Sequence, residues 1–451
     1  MPPKKRFARR LTLNAGEEYT LIGDGAVQVT LQSGLLDVAG VMLDANRPYT
    51  FYLHTDRQAI TLFTLEGAAC MLSSDNRVDT HRGVARAGKL VQMTRRTILA
   101  TKRTKVLVIG RPRSGKTLAA HTLCNLLMRY GNDKKSVFLM DLNAESNCLF
   151  APGCVSCIQV SEAPLWPGLT ASPKLLPISL YTGAAVRPSA SNVNSLLHYY
   201  DQLHETVMGY IQELNGMSVA AHQQQASPYA SSLNETQSHV VVDAPAPLAD
   251  LQEGVWYKKL IEVLRPSHVV IVSSREDGEE KWSTFLQEDV QRILPDCEFL
   301  FTDPIAHPCE RSSSRELLRE YFTGTPFYSL GCSKVVVALK SLTFVEEANE
   351  GSAPGSAEGV LMRVVHPDAS FQALVCALSH AELLEEVPLA PIAGLVTIVY
   401  VDEKNEEVAM LIPAAEEPLL RRLIIVPQSR YRDTLRMTNA QVTTMEEYVA
   451  V

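Results

Sequence analysis

The sequence is poor in aromatic residues, long apolar runs and surplus positive charge. Aromatic residues make up 7% of the 451 residues. No run of about eighteen apolar residues occurs, so no membrane-spanning helix is expected. The basic segment Met1–Arg10 lacks an apolar core, so a secretory signal is not expected either. A formal net charge of -8 argues against a chain that coats nucleic acid over its whole surface, although a local basic groove is compatible with it.

Cysteine is too scattered to predict a disulfide framework or a zinc cluster. Cys154 and Cys157 form a C-x-x-C pair, but no second pair of ligands accompanies them, so a zinc site is not expected. Reduced cysteines are typical of a nuclear or cytosolic protein. The remaining composition, with 46% hydrophobic and 20% charged residues, is that of an ordinary globular chain of two to four domains.

The most informative stretch is Gly110–Thr117, which matches the phosphate-binding P-loop pattern G-x-x-x-x-G-K-[ST]. An apolar run at Val106–Ile109 predicts a buried strand before it, and Leu118–Tyr130 predicts a helix after it. The alternative is a glycine-rich turn with an incidental Lys-Thr pair. The expected nucleotide-binding residues in and beside this loop are Gly110, Arg113, Ser114, Gly115, Lys116, Thr117 and Leu118.

The chemistry of such a loop requires backbone N–H groups and a cation that point at phosphate oxygens. Two glycines free the backbone to curl, and the helix N-terminus adds a partial positive charge. Lys116 is expected to reach the β- and γ-phosphates of ATP, and the Thr117 hydroxyl to hold Mg²⁺. Asp141, at the end of an apolar strand, is the natural acid for the same metal ion. Asp243 ends a second such strand, and either acid fits this role; the alternative for each is a helix cap or a turn.

Two arginines close together, Arg311 and Arg315, precede a predicted helix. In phosphoryl-transfer folds such a pair forms a lid whose guanidinium groups contact the transferred phosphoryl group. They are therefore candidate catalytic residues together with Asp141, if the protein is active. The alternative is a pair of solvated arginines at a helix N-terminus.

The pattern along the chain predicts an α/β protein of three domains. Alternating strands with glycine turns predict an N-terminal β-sandwich with a basic tail over residues 1–100. Strands alternate with helices over 101–342, which predicts a P-loop domain with a mostly parallel sheet. Residues 343–451 predict a small β-rich C-terminal domain. The Gln-, Ser- and Ala-rich segment Gly216–Ser238 is expected to be a disordered surface insertion.

With a P-loop domain between two β-domains, the chain resembles the ATP-binding Clp subunit of mRNA cleavage and polyadenylation factor, a family grouped with the polynucleotide 5′-hydroxyl kinases. The segments that carry the resemblance, in order, are Glu18-Tyr19, Gly34–Gly40, Tyr49–Phe51, the P-loop, Ala151–Gly153, Leu318–Gly324, the Gly394 strand and Ile412–Ala415. They cover nearly the whole chain. The resemblance implies that the N-terminal domain reaches over the ATP and holds its adenine. Carried over to this chain, the adenine-binding residues are Glu18 and a basic residue near Arg57.

The sequence departs from the kinase-active members at three places that phosphoryl transfer would require. The segment after the first acidic strand reads Asp141-Leu-Asn-Ala144 where active relatives carry Asp-x-Gly-Gln. The segment Asp243–Pro247 has no aromatic residue to stack on RNA, a contact worth about 1–3 kcal/mol. The lid around Arg311 is short. The resemblance therefore implies retained binding of ATP and Mg²⁺ with weakened or lost phosphoryl transfer.

Two functions are weighed on this basis. The leading one is an ATP-binding scaffold that docks protein subunits of the nuclear pre-mRNA 3′-end cleavage and polyadenylation machinery. The alternative is an active RNA 5′-hydroxyl kinase, in which Asp141 orients the attacking hydroxyl while Lys116 and Arg311 stabilise the γ-phosphoryl charge. A GTPase is disfavoured because no N-K-x-D guanine-binding motif occurs. The basic segment Pro2–Arg10 fits a nuclear address or an RNA contact as well as a solvated tail.

Overall fold

The fold was analysed in a computed structural model of the chain. It describes residues 7–53, 59–76, 78–101, 103–131, 135–160, 177–223, 237–273, 281–304, 313–325, 328–329, 331–348, 360–413 and 422–449. Within these ranges no helix combines the length and the apolar character that crossing a membrane requires.

The N-terminal part is a β-sandwich of two antiparallel sheets. Its strands are β1 (Phe7–Leu13), β2 (Glu17–Gly23), β3 (Gly25–Gly34), β4 (Asp37–Val38), β5 (Val41–Met42), β6 (Pro48–Leu53), β7 (Ile60–Phe63), β8 (Ala68–Ser74) and β9 (Val78–Val84). One sheet has the order β1-β8-β3-β6 and the other β5-β4-β7-β2-β9. Alternation explains the layers: Val27, Val29 and Leu31 of β3 are buried in the shared core, and the residues between them face outward.

The central part is built on a seven-stranded sheet. Its strands are β10 (Arg103–Gly110), β11 (Lys135–Asp141), β12 (Cys154–Val160), β13 (Ile178–Tyr181), β14 (Gln237–Asp243), β15 (His268–Val272) and β16 (Glu298–Thr302). They lie in the order β13-β12-β11-β14-β10-β15-β16. The five strands from β11 to β16 in this order are parallel, and β12 and β13 continue the sheet antiparallel. The predicted α/β class with a mostly parallel sheet is confirmed.

Helices cover both faces of this sheet. They are α1 (Ala87–Arg96), α2 (Lys116–Tyr130), α3 (Val193–Gln223), α4 (Glu253–Leu264) and α5 (Lys281–Ile293). The next helix, α6 (Ser314–Thr323), instead buries Leu318 and Phe322 in the core of the C-terminal sheet. Strand β10 explains why both faces need cover, since Val106 and Val108 pack with α1 and α2 whereas Leu107 and Ile109 pack with α3, α4 and α5. A strand buried on both faces reads as a continuous apolar run, which is what its sequence showed.

The C-terminal part is a second seven-stranded sheet. After a short hairpin of β17 (Gly324–Thr325) and β18 (Tyr328–Ser329), its strands are β19 (Cys332–Ala338), β20 (Thr343–Glu347), β21 (Met362–Val365), β22 (Val375–Ser379), β23 (Ile392–Asp402), β24 (Glu407–Pro413) and β25 (Leu423–Ile425), followed by helix α7 (Asn439–Val449). They lie in the order β19-β24-β23-β22-β25-β20-β21. This sheet packs on the β13 edge of the central sheet, where the buried Tyr181 hydroxyl donates to the Val375 carbonyl at 2.7 Å.

The domain limits at 100/101 and 342/343 stay predictions, and the packing differs from them at two places. Helix α1 packs against the central sheet, although it precedes the first limit. Strand β19 pairs with β24 of the C-terminal sheet, although it precedes the second limit. The prediction of a disordered insertion from Gly216 is wrong for residues 216–223, because α3 continues to Gln223. The rest of that segment up to residue 236 lies outside the described residues.

Candidate nucleotide-binding site

The P-loop leaves the carboxyl end of β10 in a conformation that depends on its glycines. Gly110 has a φ of 153°, and a Cβ atom there would lie 2.5 Å from the Val272 carbonyl oxygen and 2.9 Å from Ser114 Oγ. Gly115 has a φ of 86° and forms the N-cap of α2. Arg113 has a φ of 63°, which is uncommon for a residue with a side chain. The loop therefore has the tight backbone curl that a phosphate-binding cradle requires.

Two polar side chains of the loop lie inside this cradle. The Lys116 side chain is buried, and its Nζ donates to the Arg111 carbonyl at 2.8 Å, so the ammonium group lies across the loop. The Ser114 hydroxyl is buried and has no hydrogen-bond partner among the described residues. Buried polar groups are normally paired, so an unpaired hydroxyl beside a lysine fits a site for an anionic oxygen ligand.

The first helical turn of α2 brings Thr117 to the acids at the strand ends. Its hydroxyl donates to Asp243 Oδ2 at 2.6 Å. Asp141 lies beside Asp243 in the parallel register of β11 and β14. A hydroxyl and a carboxylate are the hard oxygen ligands that Mg²⁺ prefers. Thr117 and Asp243 together therefore fit a Mg²⁺ site.

The Asp141 carboxylate is occupied by the loop that follows β11. Its Oδ1 accepts the Asn143 backbone N–H at 2.9 Å, and its Oδ2 accepts the Cys148 backbone N–H at 2.7 Å. The Cys148 thiol donates to the same Oδ2 at 3.1 Å and lies 3.5 Å from His121 Nε2. Burial lowers the pKa of His121 to about 4, so the imidazole next to this loop is neutral.

Tyr257 of α4 holds the first residue of the P-loop, and sequence reasoning missed it. Its hydroxyl donates to the Gly110 carbonyl at 2.6 Å, and the Gly110 N–H lies 3.4 Å from the same oxygen. Burial raises the pKa of Tyr257 well above its usual range, so the hydroxyl keeps the proton that it donates. Tyr257 lies 147 residues from Gly110 on an ordinary apolar helix face, so no local signal in the sequence could have identified it.

Of the two predicted adenine ligands, Glu18 lies on the N-terminal sandwich. Glu18 on β2 is buried, and its carboxylate accepts the Arg86 backbone N–H at 3.0 Å and the Arg86 Nε–H at 2.8 Å. No hydrogen bond or ion pair joins Glu18 to the P-loop in the part of the chain that the structure describes. Arg57 lies outside the described residues. The roles of Glu18 and Arg57 therefore stay predictions.

Helix α2, which carries Lys116 and Thr117 at its start, is also the docking surface for the N-terminal sandwich. Asn125 Nδ2 donates to the Ala39 carbonyl at 2.8 Å, and Arg129 forms an ion pair with the buried Asp37. A Cβ atom on Gly40 would lie 2.8 Å from the Thr122 carbonyl oxygen, so the two backbones are in close approach. Leu118 packs against the cores of both parts. The sequence offered no sign of this second role of the helix.

The candidate lid is described only in part. Arg311 lies outside the described residues. Arg315 is exposed in the first turn of α6, which begins with a capping box between Ser313 and Glu316. The Ser314 hydroxyl donates to the Glu145 carbonyl at 2.8 Å and ties this helix start to the loop after β11. The structure thus brings α6 to the loop of Asp141, without a described contact between Arg315 and the P-loop.

Comparison with protein families places this loop in a known group. Residues 110–324 match the model described as mRNA cleavage and polyadenylation factor CLP1 P-loop. The chain is therefore similar to this family over 215 of its 451 residues. The match starts at the first glycine of the loop and ends at the C-cap of α6, so it includes Asp141, Asp243 and the two arginines predicted to form a lid. The predicted resemblance is confirmed, and Glu18 and Arg57 lie outside the range matched by the CLP1 P-loop model.

Two curated relatives carry the name mRNA cleavage and polyadenylation factor CLP1. The one from Vanderwaltozyma polyspora is 22% identical over 330 residues, and the one from Candida glabrata is 24% identical over 343 residues. Each alignment covers 68% of this chain and 68% of the relative.

Two solved structures share the fold over almost the full chain, each with a TM-score of 0.69. One is a wild-type Clp1p-Pcf11p (454–563) complex, with 18% identity over 94% of this chain and 97% of the other. The second describes an extended interface between Pcf11p and Clp1p and the structural basis for ATP loss in a Gly135Arg point mutant, with 19% identity over 94% and 98%. At this identity the likeness concerns the fold alone.

Proposed function

We propose that this protein is an ATP-binding scaffold subunit of the nuclear pre-mRNA 3′-end cleavage and polyadenylation machinery, without catalytic turnover. The CLP1 P-loop match and the two relatives named mRNA cleavage and polyadenylation factor CLP1 support the assignment to this machinery. Nuclear placement follows from that assignment. The residues around the loop support the absence of turnover.

The observation that carries the scaffold role is the double use of α2. Its first turn presents Lys116 and Thr117 to the cradle, and its side presents Asn125 and Arg129 to the N-terminal sandwich. A ligand that fixes the first turn of this helix also fixes the surface on which the sandwich docks. Bound nucleotide stabilises the folded state by RT ln(1 + [L]/Kd), or about 4 kcal/mol at a thousand times Kd. ATP held at this point would act as a structural part of the subunit.

The residues available for ATP and Mg²⁺ follow from the geometry. The backbone of Gly110, Arg113, Ser114, Gly115 and Leu118 would surround the phosphates, and Lys116 would supply the positive charge. Thr117 and an acid would hold Mg²⁺, which would neutralise phosphate charge when bound. Of the two acids, Asp243 already accepts from the Thr117 hydroxyl, whereas Asp141 accepts backbone N–H groups on both oxygens. We therefore assign the direct partnership with Thr117 to Asp243 and keep Asp141 as the second acid of the site.

The same geometry disfavours the RNA 5′-hydroxyl kinase. Phosphoryl transfer in P-loop proteins depends on positioning and electrostatics, and a displacement of about 1 Å can cost roughly a hundredfold in rate. Ala144 is buried where a polar residue would orient the acceptor. The segment Asp243–Pro247 offers no aromatic ring for stacking on RNA. It is held in place because Trp256 Nε1 donates to the Pro245 carbonyl at 3.0 Å.

A protein partner would bind the surface that ATP stabilises. The two solved structures with the same fold are complexes of Clp1p with Pcf11p. We propose that this chain docks a corresponding protein subunit of the cleavage complex. The three predicted domains, 1–100, 101–342 and 343–451, would form one platform for it.

Two measurements on one preparation test the proposal. Mass analysis of nucleotide released from the purified protein should find ATP in near-stoichiometric amount. Transfer from γ-labelled ATP to 5′-hydroxyl RNA should stay at the background of the Lys116→Ala variant. Protein that purifies without nucleotide and binds none in calorimetry would refute ATP binding. Transfer well above the Lys116→Ala control would refute the scaffold and establish the kinase.

A further inference from the structure

Positive charge is concentrated in one section of this acidic chain. Between Asp79 and Asp133 there is no Asp or Glu, yet 12 of the 42 Lys and Arg residues fall there. These twelve are Arg82, Arg86, Lys89, Arg95, Arg96, Lys102, Arg103, Lys105, Arg111, Arg113, Lys116 and Arg129. The section covers α1, β10, the P-loop and α2, and the formal net charge of the whole chain is -8.

Most of these cations are neutralised or used inside the fold. Four form ion pairs with acids from outside the section: Arg82 with Glu17, Arg86 with Glu18, Arg111 with Glu253 and Arg129 with Asp37. Lys105 is half-buried against His204, and Arg113 and Lys116 belong to the P-loop. Over the described ranges, Lys89, Arg95, Arg96 and Arg103 remain without an ion pair. Three of them, Arg95, Arg96 and Arg103, are exposed.

The topology brings these three arginines to one end of the central sheet, the end at which its parallel strands begin. Arg95 and Arg96 form the last turn of α1, and a short 3-10 turn leads from there to β10, which begins at Arg103. Helix α2 ends with Tyr130 at this same end of the sheet. Arg95 and Arg129 both lie over the Tyr130 ring, with 5.2 Å and 4.8 Å from each guanidinium carbon to the ring centroid. The ring therefore positions the Arg95 guanidinium group without removing its charge, whereas Arg129 is also paired with Asp37.

This end of the sheet lies at the far end of α2 from the P-loop. Tyr130 follows Thr117 by thirteen residues, which is about 20 Å along a helix. The group formed by Arg95, Arg96 and Arg103, here called the basic edge, is therefore separate from the nucleotide site.

The composition of the basic edge favours a polyanion over a protein surface. The outward positions of α1 are Lys89, Gln92, Arg95 and Arg96, and its apolar residues face the core. No large hydrophobic side chain is exposed between residues 85 and 131 in the described structure. Protein interfaces are built around apolar and aromatic anchors, whereas phosphate backbones are bound by arginine forks and positive charge.

We infer that the basic edge binds the phosphate backbone of single-stranded RNA. The inference rests on the proposed function, which places the subunit in a machine that acts on mRNA. Recognition would be independent of sequence, because phosphate contacts position a strand without distinguishing its bases. The subunit would then hold RNA at one end of α2 and nucleotide at the other.

The test measures binding of a 3′-fluorescein-labelled, 5′-phosphorylated single-stranded RNA of about twenty nucleotides by anisotropy. The full chain is compared with the triple variant Arg95→Gln, Arg96→Gln, Arg103→Gln. The matched control is Lys340→Gln, Lys404→Gln, Arg422→Gln, which removes three positive charges from exposed positions of the C-terminal part. Each variant is also assayed for bound nucleotide, so that damage to the P-loop site is seen separately.

Three lost phosphate contacts should reduce the slope of log Kobs against log salt by about 2, at about 0.7 per contact with a single strand. Affinity at low salt should fall at least about tenfold in the triple variant and by much less in the control, with nucleotide content unchanged in both. Equal losses in the two triple variants would overturn the inference, since only net charge would then matter. So would a poly-glutamate competitor that displaces RNA from the wild-type chain at equal charge, because an acidic peptide would then be the better ligand. A wild-type chain that binds no RNA but keeps its nucleotide would refute the basic edge and leave the proposed function standing.

Discussion

A buried neutral histidine on the P-loop helix predicts a specific acid sensitivity. His121 of α2 is buried, and burial lowers its pKa to about 4 from an ordinary value of 6.5. In the unfolded chain the imidazole takes up a proton as the pH falls below about 6.5, whereas in the folded chain it stays neutral until about pH 4. The unfolded state therefore gains protons first, and the free energy of unfolding falls with pH across this window.

The magnitude follows from the two pKa values. Between about pH 7.5 and about pH 5, one such group lowers the free energy of unfolding by about 2 kcal/mol. Replacing His121 with Gln should remove this contribution, so the stability of the variant should fall less over the same interval than that of the wild type. The loss of packing in the variant lowers the free energy of unfolding by the same amount at both pH values. It therefore cancels when the two values are subtracted.

Urea unfolding followed by tryptophan fluorescence is the suitable assay. All three tryptophans, Trp166, Trp256 and Trp282, lie within residues 101–342, so the signal reports the central part. The control is His366→Gln, at an exposed position. The same pH dependence in wild type, His121→Gln and His366→Gln would refute the reasoning, because the imidazole at position 121 would then have the same pKa folded and unfolded.

Three further outcomes are expected at the site and at the α2 interface. Lys116→Ala combined with Thr117→Ala should abolish ATP binding and lower the melting temperature; stoichiometric ATP in the purified double variant would contradict the P-loop assignment. Glu18→Ala should weaken ATP affinity in calorimetry while its neighbour Glu17→Ala does not, and an unchanged affinity would remove Glu18 from the site. Asn125→Ala leaves a buried carbonyl of the N-terminal sandwich unpaired and should cost about 1–3 kcal/mol of unfolding free energy in urea; a cost near zero would mean that the sandwich does not depend on this hydrogen bond.

The local sequence pattern was sufficient to predict most of the strands and helices that position the site. The run Val106–Ile109 lies within β10, and the predicted helix start differs from α2 by two residues. Asp141 and Asp243 both end strands, as their sequence pattern indicated. These predictions succeeded because apolar runs and glycine turns act on neighbouring residues. The prediction of disorder was wrong for residues 216–223, which continue helix α3. Composition did not reveal this, because the helix begins in a buried and well-packed segment that precedes the Gln-rich stretch.

The contacts that decide the roles of side chains could not be predicted in this way. The Thr117–Asp243 hydrogen bond joins residues 126 positions apart, and the Glu18–Arg86 pair joins residues 68 apart. Which acid meets the threonine depends on strand order, since β14 lies between β10 and β11 in the sheet. A sequence pattern shows that two acids end strands but does not reveal their order across the sheet.

The packing of the C-terminal sheet on β13 has a consequence for the survival of the protein in a cell. An edge strand with unpaired backbone groups is a template for aggregation unless something covers it. Here the cover is supplied by the same chain, through the Tyr181 hydroxyl and an apolar core that includes Leu435. A premature stop before β22 would remove Val375 and most of this core, and would leave that edge and its apolar face open. Such a change would act by depleting the whole subunit through aggregation and proteolysis, even though every residue of the nucleotide site would still be encoded.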